Sequence, residues 1–203
     1  MCIRDRPSFT YMVLSNDHTD GVNPGSRSPR SMVAENDYGL GQIVDTISHS
    51  SIWPSTAIFV IEDDSQDGAD HVDAHRMPGA VFSPYARPGA VVHTRYDMLS
   101  FIRSMELILG MKPVSFQDAL ATPMYDAFQS TPANSAPYSA ISPTYPLLER
   151  NPNTAFDRAM SRGYDWTHRD QVPQDVFDRV LWYATHGPRS APPPPGPNAV
   201  KGQ

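Results

Sequence analysis

Cysteine is nearly absent: Cys2 stands alone in 203 residues, which excludes an internal disulfide and a thiolate metal cluster. No apolar run approaches the ~18 residues of a membrane-spanning helix, so no integral membrane segment is expected. Basic charge is also short, with 16 Lys and Arg against 22 Asp and Glu and a net charge of −6. Sequence-independent binding to a phosphate backbone needs the opposite balance, so a nucleic-acid partner is not expected. Charged residues make up only 19% of the chain and hydrophobic ones 39%, which is too apolar for wholesale disorder and enough for one core. No repeat with a period of 20–50 residues is present.

Proline is abundant instead, at 21 of 203 residues, about twice its usual ~5% share. It divides the chain. Residues 1–6, Met1-Cys2-Ile3-Arg4-Asp5-Arg6, have neither the apolar centre of a signal peptide nor a helical pattern, and read as a non-native leader. Residues 7–128 form the main body. Residues 129–154 mix Ser, Thr, Pro, Ala and Asn and predict a long surface loop, and residues 155–186 return to helical patterning. Residues 187–203 carry Pro192-Pro193-Pro194-Pro195 and predict an extended or disordered tail.

Within the body, Phe9 to Leu14 is an apolar and β-branched run that predicts a buried strand. A polar loop with the turn signal Asn23-Pro24-Gly25 follows. Ser28 before Pro29 predicts an N-cap, and Leu40, Ile43, Val44 and Ile47 give the helix one apolar stripe. Thr56 to Ile61 is continuously apolar, as a strand covered on both faces should be, and Ala80-Val81-Phe82 predicts another strand, stopped by Ser83-Pro84. Asp97 caps a helix carrying Leu99, Ile102, Met105 and Leu109, ended by Gly110. A last helix after Pro173 buries Val176, Phe177, Val180, Leu181 and Ala184. Strand, helix, strand, strand, helix predicts an α/β fold with a largely parallel sheet.

The chemistry concentrates after Ile61. From Glu62 to Arg76 the chain holds six acidic residues and two histidines in fifteen positions. In an open α/β sheet ligands bind beyond the carboxyl ends of strands. Crowded carboxylates there repel one another unless a cation compensates, and carboxylate with imidazole suits a divalent ion. The same loop simply facing water is the plainer reading. Asp63, Ser65, Asp67 and Gly68 imitate the start of a helix-loop-helix calcium site, but Ala74 stands where that motif needs a bidentate Glu. A second polar cluster, Asn16-Asp17-His18-Thr19-Asp20-Gly21, closes the first predicted strand. If the two strands are parallel neighbours, Asp17 and His18 share a sheet edge with Asp63 and can ligate metal or contact phosphate. Otherwise they form a self-bonded turn.

The run Asp63-Asp64-Ser65-Gln66-Asp67-Gly68-Ala69-Asp70-His71-Val72 resembles a motif of the bacterial and plant phosphoesterase family that includes phospholipases C and an acid phosphatase. The family motif reads Asp-Glu-x-x-Gly-x-x-Asp-His-Val; here Asp64 replaces its Glu, and Asp67 replaces its Gly. The next block, Gly-x-Arg-Val-Pro-x5-Pro, is matched at Arg76, Pro78 and Pro84, with Ala74 and Met77 as departures. Tyr96-Asp97 and the helix after it resemble the family's closing segment. The resemblance spans roughly Phe9 to Phe128 and the helix after Pro173. It implies the three-layer α/β/α sandwich of the alkaline phosphatase superfamily. It also implies metal-dependent hydrolysis of phosphomonoesters, phosphodiesters or phospholipids through a Thr or Ser phosphoenzyme.

By the same resemblance Asp63 and Asp64 are metal ligands, with Asp17 and His75 as further ligands. His71 and His18 are the catalytic histidines, binding metal or protonating the leaving oxygen. Asp70 and Arg76 brace the loop. The cofactor is a divalent ion such as zinc, calcium or manganese, and the setting implied is periplasmic or secreted. The family's Glu-Asn-Arg-Ser-Phe-Asp-His and Thr-x-Pro-Asn-Arg blocks have no match here, so the nucleophile is expected in upstream sequence and this chain is expected to be a C-terminal portion. The alternative is an α/β module that binds metal without catalysis.

Overall fold

The computed structural model describes residues 7–62, 76–168 and 171–192. Among them the chain forms five α-helices and one two-stranded sheet. The helices are α1 (Pro29–Ser48), α2 (Met98–Leu109), α3 (Phe116–Leu120), α4 (Arg158–Gly163) and α5 (Gln174–His186), and the strands are β1 (Ile58–Ile61) and β2 (Gly79–Phe82). No described helix is long and apolar enough to cross a membrane. The chain divides into two compact units: one from Met1–Val13, Val44–Ile61 and Gly79–Tyr138, the other from Leu14–Ile43, Glu62–Pro78 and Ser139–Gln203.

The first unit is built on the β1–β2 pair. The strands run antiparallel, with Ile58 opposite Phe82 and Ile61 opposite Gly79. Side chains opposite one another share a face. Phe59 thus meets Phe101 of α2 and Phe128 at ring distances of 6.0 and 5.8 Å, while Phe82 meets Tyr138 at 5.8 Å on the other face. Trp53, which is buried, lies edge-on to the same Tyr138. A Cβ at Gly79 would stand 3.0 Å from the Phe101 ring, which would have to give way to admit it. At the start of α2, Asp97 accepts from the Ser100 amide while Ser100 reaches back to the Asp97 amide, a reciprocal cap that satisfies two orphan donors. Gly110 ends the helix in the left-handed region at φ 67°.

The second unit is held by the pairing of residues 21–31 with residues 145–151. Pro24 and Gly25 form the predicted turn, with Gly25 at φ 86° and Ser26 N–H donating to the Asn23 carbonyl at 3.1 Å. Beyond the turn, Asn151 and Glu149 exchange backbone bonds with Gly25, Ser26 and Ser28 at 2.9–3.0 Å. Ser28 caps α1 as its position predicts, accepting from the Ser31 amide at 3.2 Å. α5 buries Val180 and sets Phe177 edge-on to Tyr164 and Trp166. Ser190 receives the Trp182 indole N–H at 3.1 Å, so the first residues of the predicted tail fold back on α5; residues 193–203 lie outside the described set.

Two expectations need correction. The fold is not a largely parallel three-layer α/β/α sandwich, because the described sheet has two strands and they are antiparallel. A continuous apolar run reports cover on both faces, which this hairpin has, but carries no information on strand direction. Phe9 to Leu14 form no strand, and Tyr11 and Val13 are 78% and 62% exposed. A run of strand formers without a pairing partner has no ladder to satisfy its backbone. On α2 the buried residues are Ser100, Phe101, Ser104 and Glu106, while Ile102 is exposed. Local bonds decide this rotation. Ser104 Oγ donates to the Ser100 carbonyl and accepts from Met124 N–H at 2.8 Å, and Glu106 accepts from Val114 N–H at 3.0 Å.

Candidate functional site

Of the residues singled out by sequence, Asp63, Asp64, Asp70, His71 and His75 lie outside the described residues. The flanks of their segment are described. β1 ends at Ile61, Glu62 N–H donates to the Pro78 carbonyl at 3.3 Å, and β2 begins at Gly79. The motif therefore occupies the connection between two paired strands, starting at the carboxyl end of β1. Arg76, at the far end of that connection, is exposed.

Asp17 is half-buried and His18 exposed, in a turn closed by His18 N–H donating to the Ser15 carbonyl at 3.3 Å. Their neighbour Asn16 donates to Glu35 of α1 at 2.6 Å. The strand expected to carry this turn to a sheet edge is absent, so its position follows from Asn16, Thr19 and Gly21 instead. Thr19 is buried and its hydroxyl accepts from the Gly21 amide at 3.1 Å. Among the described residues no three His, Cys, Asp or Glu side chains converge as a metal-holding group. In donor chemistry, the carboxylates and imidazoles of the 63–75 run suit a divalent ion.

The described residues also form a cavity of about 280 Å³ in the second unit, which sequence reasoning did not anticipate. Its apolar side includes Val22 and Phe156, and its polar side Arg30, Tyr145, Glu149 and Arg150. Glu149 Oε2 accepts from the Ser28 hydroxyl and from the Tyr145 hydroxyl, each at 2.7 Å. These bonds hold the Glu149 carboxyl below its ordinary range, the Ser28 bond contributing most, with the Arg30 charge adding to them. The Glu149 carboxylate in turn pushes the Tyr145 hydroxyl up. The Arg30 guanidinium stands 5.7 Å over the Tyr145 ring, and Arg150 Nη1 donates to the Gly25 carbonyl at 2.5 Å.

Beneath the cavity, Asn151 is buried and its Nδ2 lies 3.0 Å from the Gly21 carbonyl, 3.1 Å from that of Asn23 and 3.2 Å from that of Arg27. Arg27 bonds Glu35 and the Leu147 carbonyl, fastening α1 to the 139–154 segment within this unit. Asn151 thus fixes the loop whose ends present Arg150 and Glu149. The only local signal for the cavity was the Asn23-Pro24-Gly25 turn. Compared with known proteins, the chain matches no family model and no curated relative.

Proposed function

We propose that the chain takes part in metal-dependent hydrolysis of phosphate esters, phosphomonoester or phosphodiester, as the part of a phosphoesterase that supplies the carboxylate–histidine motif. The observation that carries this reading is the run Asp63-Asp64-x5-Asp70-His71-Val72, followed by Arg76, Pro78 and Pro84, separated from the last residue of β1 by Glu62 alone. Asp63 and Asp64 would hold the ion, with His75 as a further donor. A divalent ion held there would supply charge for the phosphate oxygens as the ester bond breaks. His71 offers a proton to the leaving oxygen, while Asp70 and Arg76 orient the segment. The hydroxyl nucleophile that the resemblance implies is not among the residues that match it, so hydrolysis by these 203 residues alone is expected to be slow.

The test is metal binding and turnover measured on one preparation. Titration calorimetry with zinc, manganese and calcium should show binding that Asp63→Ala and Asp64→Ala each weaken at least about tenfold, as loss of a charged ligand requires. Hydrolysis of an aryl phosphate and an aryl phosphodiester should fall on chelation and return with the ion. A chain that binds none of the three ions overturns the reading. Tight binding with no hydrolysis in the protein's native sequence context would establish a non-catalytic metal-binding module instead.

A further inference from the structure

We propose that the cavity beside the N-terminus of α1 binds a small organic oxyanion, a carboxylate or phosphoryl group on an apolar body, between Arg30 and Arg150. This site shares no residue with the 63–75 motif and does not rest on the phosphoesterase reading. Three observations carry it together. The first is charge: neither Arg30 nor Arg150 makes a direct ion pair with a carboxylate among the described residues, yet both line one cavity. Glu149 is the one carboxylate in the lining and its charge acts on Arg30, so two guanidiniums against one carboxylate leave the lining with one positive charge in excess.

The second observation is hydrogen-bond supply. Ser28 and Tyr145 commit their hydroxyl protons to Glu149, and Asn151 commits its amide protons to three backbone carbonyls. Guanidinium N–H groups remain beyond the Arg150 Nη1 bond to the Gly25 carbonyl, and their planar fork matches a carboxylate or phosphoryl oxygen pair. The third is shape. The lining also includes the apolar Val22, Phe156 and Ala184, and Phe156 is held edge-on by Tyr183 at 5.4 Å. A volume of about 280 Å³ sits at the small end of ligand sites, which run from ~300 Å³ upward, so the ligand is a ring or short chain carrying one anionic group.

The probe is phenylphosphonate, whose carbon–phosphorus bond is not an ester, with benzoate and benzylamine in parallel arms. All are titrated into the isotopically labelled chain with chelator present, so that an ion at the 63–75 motif takes no part. Phenylphosphonate or benzoate should shift amide resonances around Tyr145, Arg150 and Phe156, the stronger of the two naming the anion class, and benzylamine should not. Arg30→Gln should weaken binding about tenfold or more, as loss of one charge-assisted pair predicts. Arg30 makes no backbone hydrogen bond with its side chain, so this variant keeps the fold. Arg150→Gln should act in the same direction, and Phe156→Ala should weaken phenylphosphonate more than inorganic phosphate. No binding of either anion, shifts confined to other residues, equal binding of benzylamine, or unchanged affinity in Arg30→Gln each overturns the assignment. None of these outcomes bears on metal-dependent hydrolysis.

Discussion

Replacing Asn151 by Ala should unfasten the second unit, and the size of the effect follows from its bonds. The Asn151 amide has two N–H donors and stands within 3.0–3.2 Å of the carbonyls of Gly21, Asn23 and Arg27. Gly21 and Asn151 are both buried, so water cannot replace the lost donor without opening the loop. Each net hydrogen bond contributes about 0.5–1.5 kcal/mol, and a stranded buried acceptor costs about 1–3 kcal/mol, so Asn151→Ala should lose about 2–3 kcal/mol. With a urea slope of about 2 kcal/mol per M, the midpoint should fall by about 1 M. Trp166 and Trp182 belong to the second unit and Trp53 to the first, so fluorescence in a Trp53→Phe background reports the second unit alone. Asn151→Asp separates donor loss from volume loss. At neutral pH it points a carboxylate at three carbonyl oxygens and should be worse than Ala, and acidification should narrow the gap as the carboxyl regains a proton. A midpoint for Asn151→Ala within about 0.5 kcal/mol of the background, or an Asp variant more stable than Ala at neutral pH, would refute the reasoning.

Gly21→Ala should cost more than about 2 kcal/mol by thermal denaturation, because Gly21 sits at φ 61° and a Cβ would lie 2.9 Å from Ser161 Oγ and 3.0 Å from the Phe177 ring. An unchanged melting temperature would mean that α4 and α5 do not pack there. Asp165 should titrate at about 2, held down by the Thr167 hydroxyl first and His168 next, and Thr167→Ala should raise that midpoint in a carboxyl-carbon NMR titration. Its folded value is depressed, so the stabilising contribution is present above the ordinary Asp range of ~3.9 and disappears as pH falls through about 2. Identical midpoints in parent and variant would reject the Thr167 bond as cause. Asp97→Ala removes the acceptor for Ser100 N–H at 2.9 Å and should destabilise α2 by about 1 kcal/mol, read as faster amide exchange at Ser100 and Phe101. Unaltered exchange there would show that the cap is dispensable.

Elements whose boundaries are written in local chemistry were legible in the sequence. Ser28 before Pro29, Asp97 before α2, Gly110 after it and Pro173 before α5 all mark real helix ends, because caps act through bonds three or four residues long. The two strands were legible too, within two residues at their starts. Their mutual direction was not, since Ile58 to Ile61 is apolar at every position and meets aromatic rings on both faces whichever way its neighbour runs. Phe9 to Leu14 shows the converse. Strand propensity describes a fit to a pleated, half-buried surface, and these residues have no such surface beside them. The rotation of α2 was hidden for a related reason: Ser100, Ser104 and Glu106 read as an outward face, yet each finds a backbone partner that makes burial favourable.

The two candidate sites differ in legibility for a physical reason. A metal-type motif declares itself when its ligands crowd one short stretch, as Asp63, Asp64, Asp70, His71 and His75 do, because like charges so close in sequence cannot be separated in space. The cavity has no such signature. Arg30 and Arg150 are brought together only by the pairing of residues 25–28 with 149–151, and that pairing depends on one Asn side chain among the Ser, Pro and Asn residues of a segment that reads as a featureless loop. Neither arginine has a periodic neighbour, an adjacent aromatic pattern or a spacing that marks it. Long-range backbone pairing without strand propensity therefore fixed this cavity. The consequence is directional: loosening Asn151 should weaken oxyanion binding at Arg30 and Arg150 together, whereas Arg30→Gln should leave the urea midpoint of the second unit unchanged.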